Sequence, residues 1–223
     1  MSKPITQIIG VIQVKGGVGR STIATNLAAV FSLKQPTALI DCDLPQGTSA
    51  SWYAVRKAEV PPVNLTLAVA RDYRELVSRA QELAEEHRYI VIDAPPRIAE
   101  MTRAIVVMST LSLVPLGASA AEIWSTADLL QTINEARLFR SDVDTRIVWN
   151  RYRGNTREAL EVSEAARKEL GLQELATRLG YRVAYSEALA RGLSVDEWLD
   201  RTAHAEILAL AAEVKSILKE KGK

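Results

Sequence analysis

The segment QVKGGVGRST, residues 13–22, follows a β-rich run and precedes one with helical spacing. Consecutive backbone N–H groups can turn inward around an anion only where glycine allows φ > 0 or a close approach, and Gly16, Gly17 and Gly19 stand where that need arises. A helix opening near Ser21 and Thr22 adds the positive end of its dipole, and the hydroxyl that follows the basic residue is placed to ligate Mg²⁺. The segment reads as a phosphate-binding loop. It departs from the usual pattern, since Val14 holds the first glycine position, Lys15 directly precedes the glycine pair, and Arg20 stands where lysine is usual. Arginine keeps the charge but presents a planar fork in place of a compact ammonium. Three outcomes follow for Arg20: a relaxed loop with activity retained, nucleotide bound but slowly hydrolysed, or binding largely lost.

Working outward, short apolar runs alternate with helical patterns, the signature of a parallel sheet with crossover helices. Strands are predicted at Ile8–Val14, Thr37–Ile40, Leu65–Val69, Tyr89–Ile92, Leu111–Pro115 and Arg146–Trp149. They are nearly all apolar, as strands covered on both faces must be. Helical faces are marked by Ile23, Leu27, Val30 and Phe31, and by Leu76, Ala80 and Leu83. A last helix carries Ile207, Leu210, Ala211, Val214, Ile217 and Leu218 on one face; packing on the sheet explains that spacing better than membrane binding. VPPVN at 60–64 reads as a rigid connection within the domain. The expected fold is α/β, a single domain over residues 1–223 with a mostly parallel twisted sheet and helices on both faces. Right-handed crossovers gather the loops after the strands at one sheet edge, where such folds bind ligands.

Composition narrows the classes. The chain has 223 residues, 48% hydrophobic and 25% charged, enough for one substantial core. No run of eighteen apolar residues and no secretory signal pattern occurs, so a cytoplasmic protein is expected. Cys42 is the single cysteine, which excludes an internal disulfide, and with only two histidines there is no metal-ligand cluster. A net charge of +1 argues against coating nucleic acid by charge alone. Between Arg137 and Arg157, however, six arginines face only Asp142 and Asp144, making a candidate basic patch.

KGGVGRST resembles the deviant Walker A motif of the ParA/MinD ATPases, a group of P-loop NTPases. DCDLPQGTSASW from Asp41 resembles the second loop of ParA proteins with one extra leucine, and IVIDAPPR, with Asp93, resembles their Walker B and switch segment. LVPLGASAAEIWS, VWNRYRGNT and YRVAYSEALARGLSVDEW extend the likeness from about residue 7 to residue 215. The resemblance implies ATP/ADP and Mg²⁺ as cofactors. Lys15 would reach the partner's phosphates in an ATP-bound homodimer. Gly16, Gly17, Val18, Gly19, Arg20 and Thr22 would form the phosphate cradle, Ser21 would bind Mg²⁺ directly and Asp93 through water. Asp43 would position the attacking water, and Asn150 would contact the base.

It also implies a cycle in which the dimer binds DNA non-specifically and a partner stimulates hydrolysis. The likeness is to short members, which leave sequence-specific binding to a separate ParB-like centromere-binding protein. A nucleoid-associated partition ATPase with weak, partner-stimulated activity is the first expectation, with Arg151, Arg153, Arg157 and Arg182 as DNA contacts. The alternatives are positioning of a protein cargo through an adaptor, a MinD-like membrane switch, which the tail's lack of a basic, bulky face disfavours, and a metabolic ATPase, which the lone cysteine disfavours.

Overall fold

The computed structural model describes residues 5–44, 46–60, 64–97, 99–154 and 157–221. Most of the VPPVN connection lies outside the described residues. The elements run β1 (Gln7–Val11), α1 (Arg20–Ser32), β2 (Thr37–Asp41), α2 (Thr48–Glu59), β3 (Leu65–Val69), α3 (Tyr73–Ala84), β4 (Tyr89–Asp93), α4 (Ala99–Met108), β5 (Leu111–Leu116), α5 (Ala120–Trp124), α6 (Ala127–Phe139), β6 (Thr145–Tyr152), α7 (Arg157–Leu170), β7 (Gln173–Gly180), α8 (Ala184–Ala190) and α9 (Arg201–Lys221), with a 3₁₀ turn at Val195–Glu197.

The strands form one sheet in the order β3-β2-β4-β1-β5-β6-β7, with every neighbouring pair parallel. Helices cover both faces, which is why β2 and β4 are buried at every position. Alternate residues serve two cores. Leu39 and Val91 pack with α1, α2, α8 and α9, while Ala38, Ile40, Ile90 and Ile92 pack with α3, α4, α6 and α7. Register fixes where the loops emerge: Val11 and Asp41 both pair with Asp93, so β1, β2 and β4 end level at the carboxyl edge. Three polar loops therefore start side by side.

The predicted tail face is buried: Ile207, Leu210, Ala211, Val214, Ile217 and Leu218 of α9 belong to the core shared with α1. Among the described residues no helix is long and apolar enough to cross a membrane. Two expectations need correction. The first strand stops at Val11 because residues 12–14 already turn into the glycine loop. A seventh strand, β7, was not predicted; as the edge strand its inward Leu175 and Leu179 are buried, while the positions between them carry Ala, Thr and Arg.

Candidate nucleotide site

The chain leaves β1 at the centre of the sheet and reaches α1 through Gly16–Gly19. Gly17 (φ 76°) and Gly19 (φ 96°) are left-handed, which lets the loop fold over the helix start. No side chain caps α1, and its first turn holds no acid, so its leading N–H groups and dipole face the loop's interior unopposed. A side chain at residue 19 would put its Cβ 2.1 Å from Nδ2 of Asn150. That amide donates to the Val18 carbonyl at 2.7 Å, pinning the loop to the end of β6. Gln13 anchors the other end, with Nε2 donating to Thr126 Oγ1 at 3.1 Å and Oε1 accepting from the Val14 N–H at 2.8 Å. The loop borders a cavity of about 390 Å³ whose lining includes Gly16, Gly17, Gly19, Ser21, Thr22 and Asp43.

Arg20, expected in the phosphate cradle, borders the cavity but is largely engaged elsewhere. Its side chain lies beneath the loop, 7% exposed, with Nε donating to Ala94 O at 2.8 Å and one terminal nitrogen donating to Gln13 O at 2.8 Å and Lys15 O at 2.5 Å. The other terminal nitrogen stands 3.7 Å from Asp43 Oδ2. Burial lowers the pKa of this guanidinium, and Asp93 and Asp43 offset part of that effect. A lysine, with three donors at one point, cannot span three carbonyls on two strands' ends as this fork does. Arg20 touches the cavity wall; three of its contacts go to backbone carbonyls and its remaining terminal nitrogen faces Asp43 of the same wall, so it ties the β1 and β4 loops together.

Three aspartates meet at the level strand ends. Asp41, fully buried, accepts from the backbone N–H groups of Asp43 at 2.9 Å and Ala50 at 2.8 Å, and so shapes the loop that carries Asp43. Asp43 lines the cavity; burial raises its pKa and the Arg20 charge pulls it back. Asp93 is 1% exposed, with Oδ2 accepting from Ser49 Oγ at 2.7 Å and Oδ1 without a hydrogen-bond partner among the described residues. Burial pushes its pKa up to about 7, against the hydroxyls of Ser21 and Ser49. A buried, unpaired carboxylate oxygen near a serine hydroxyl and a phosphate-shaped loop suits a hard cation such as Mg²⁺, which takes oxygen ligands and shares them with phosphate. Among the described residues there is no group of three or more His, Cys, Asp or Glu able to hold a metal unaided.

Lys15 faces away from this cavity. It lines a second one, of about 550 Å³, with Arg97, Asp128 and Glu135, and its Nζ lies 3.8 Å from Glu122 Oε1. On the other flank, a cavity of about 380 Å³ is bordered by Thr22, Asn150, Tyr181, Tyr185 and Leu189, with Arg151 and Arg182 also in its wall. Asn150 is at its wall, though its amide nitrogen is already given to Val18.

The basic patch does not hold together. The eight residues of β6 carry the chain across the sheet, so Arg137, Arg140 and Arg146 lie before or at its start and Arg151, Arg153 and Arg157 at or beyond its end. Arg140 and Arg146 pair with Asp142 and Asp144. Arg182 is engaged by Glu206, Arg153 stacks on Tyr181, and the side chain of Arg157 lies outside the described residues. Sequence reading passed over Ser49 and Glu122, because a serine in the first turn of a helix and a glutamate beyond a strand carry no motif of their own.

The three loops that start level at one edge fall within residues 9–195, which match the family model described as the CobQ/CobB/MinD/ParA nucleotide binding domain. The chain belongs to this family. As a ParA/MinD-type ATPase it is 31% identical over 205 residues to the maintenance of carboxysome distribution protein A of Gloeobacter kilaueensis, covering 91% of this chain and 89% of that one. It is 28% identical over 241 residues to the chromosome-partitioning ATPase Soj of Thermus thermophilus, covering 92% and 94%. The Cyanothece McdA(D38A)–ATP complex superposes with a TM-score of 0.79 at 15% identity, covering 96% of this chain and 98% of that one, a likeness of fold. Members of the ParA/MinD family act as dimers with partner proteins.

Proposed function

We propose that this chain is an ATP-operated switch that positions a protein cargo: ATP and Mg²⁺ drive a homodimer that holds DNA non-specifically, and an adaptor protein releases it by stimulating hydrolysis. The observation that carries the reading is the convergence of the glycine loop and Asp43 on one cavity at the level ends of β1, β2 and β4, with Asp93 buried behind the Ser21 hydroxyl that lines it. The cargo emphasis rests on the relative named for carboxysome distribution. The relative named for chromosome partitioning supports a second reading, in which the adaptor is a ParB-like centromere-binding protein and the cargo is DNA. Burial of the α9 face weighs against a membrane-bound switch.

In this reading backbone N–H groups from Gly16 to Thr22 bind the phosphates. Ser21 and Asp93 would hold Mg²⁺, which would supply positive charge beside the phosphates. Asp43 orients the attacking water, work that is mostly positioning. Lys15 leaves Glu122 and completes the site of the partner subunit, and the cavity beside Asn150 takes the base. With Arg20 spent inside the loop, hydrolysis is slow until the adaptor binds. The test is co-sedimentation with random-sequence DNA, with and without Mg–ATP. The reading expects retention only with Mg–ATP; equal retention in both would remove the switch.

A further inference from the structure

Two cations touch the wall of the phosphate cavity, Arg20 and Arg151, and Arg20 has turned most of its donors to backbone carbonyls. Arg151 has not. It is exposed, has no hydrogen bond or ion pair among the described residues, and borders both the cavity under the glycine loop and the neighbouring aromatic one, which have only Thr22 and Arg151 in common. Its placement is specific. The residue before it, Asn150, is bonded to the Val18 carbonyl of the loop, and Arg151 itself adopts φ 52°, a conformation uncommon for a residue with a β-carbon. It lies within the irregularity that interrupts the pairing of β6 with β7 between Trp149 and Tyr152.

We propose that Arg151 is the cation that meets the phosphates of a nucleoside triphosphate from within the same protomer, taking over the charge that Arg20 withholds. This rests on the nucleotide-switch reading above and moves Arg151 from the expected DNA face to the nucleotide. A guanidinium at the junction of the two cavities stands where a nucleotide passes from base to phosphates, and its flat fork suits two phosphate oxygens at once. Lys15 lines a different cavity, with its Nζ 3.8 Å from Glu122.

The test is equilibrium binding of ATP, ADP and AMP with Mg²⁺ to the full chain and to Arg151→Ala, Arg151→Lys and Arg151→Gly, with thermal unfolding measured alongside. Arg151→Ala should weaken ATP at least tenfold and AMP less than threefold, Arg151→Lys should restore part of the loss, and all variants should melt within a few degrees of the parent. Arg151→Gly separates the side chain from the backbone: it accepts the left-handed turn at least as well, yet should bind ATP as poorly as the alanine form. ATP binding by Arg151→Ala within twofold of the parent overturns the proposal, more so if its retention on DNA is lost. A parent that binds no nucleotide overturns the switch reading itself and this proposal with it.

Discussion

Arg20 and Asp43 face each other at 3.7 Å across the floor of the glycine loop, the one the first residue of α1 and the other from the loop after β2. Asp43 is 9% exposed and Arg20 7%, so the pair is scarcely screened by solvent and each charge depends on the other. The cation that a phosphate loop ordinarily offers to its ligand is used here to hold the loops together before any ligand arrives.

Removing that tie should cost stability without nucleotide present. Arg20→Ala leaves the carbonyls of Gln13, Lys15 and Ala94 without their donor, and at about 1 kcal/mol for each buried acceptor, with the Asp43 charge in addition, the loss is ~3–4 kcal/mol. Arg20→Lys should lose about 1–2 kcal/mol, since an ammonium reaches some of the three carbonyls. Urea unfolding of the nucleotide-free proteins measures both. The lysine form should also hydrolyse ATP faster than the parent, because a shorter, unforked cation leaves the floor more readily.

The left-handed glycine and its asparagine neighbour form a second pair. Gly19→Ala meets both strain at φ 96° and a 2.1 Å contact with Asn150, so it should destabilise by roughly 2–4 kcal/mol and abolish ATP binding. Adding Asn150→Ala removes the contact but not the strained φ. The double variant should therefore recover part of the stability and none of the binding, a non-additivity that a double-mutant cycle reads directly.

Glu197 provides the pH dependence. Burial pushes its pKa up, but hydrogen bonds from Arg56 and the Ser194 backbone outweigh this and leave it lowered. The contacts are close: Oε2 to Arg56 at 2.7 Å, Oε1 to Arg56 at 3.0 Å, and Ser194 N at 2.8 Å. A carboxyl lowered in the folded state contributes its full stability above the ordinary glutamate range and loses it as pH falls through the lowered value. Glu197→Gln should be about 2 kcal/mol less stable than the parent at pH 7, because Arg56 stays buried without its partner. That gap should close on acidification, which denaturation at a series of pH values shows.

Lys15 and Glu122 make a weak contact by comparison. Half-exposed ion pairs at such separations contribute about 0–1 kcal/mol, so Lys15→Gln and Glu122→Gln should both melt near the parent. Their effects on ATP-driven association should be opposite. Losing Lys15 should abolish it, and losing Glu122 should lower the ATP concentration needed severalfold by freeing the lysine.

Much of this was legible in the sequence, for definite reasons. Gly17 and Gly19 sit where left-handed backbone is required, and Val11, Asp41 and Asp93 end apolar runs whose parallel pairing brings them level. The direction of the Arg20 side chain was not legible, because it depends on carbonyls at 13, 15 and 94 that only the fold assembles. The arginine stretch was legible only in part for a related reason: a strand of eight residues separates Arg137, Arg140 and Arg146 from Arg151 and Arg153, which stay at one end with Arg182. β7 escaped because an edge strand buries one face and shows no continuous apolar run.

The most direct test of the account is the mass of the protein by sedimentation velocity with no nucleotide, with Mg–ADP, with ATP and chelator, and with Mg–ATP. The account predicts a protomer in the first three and a dimer with Mg–ATP alone. The same mass in all four would contradict it.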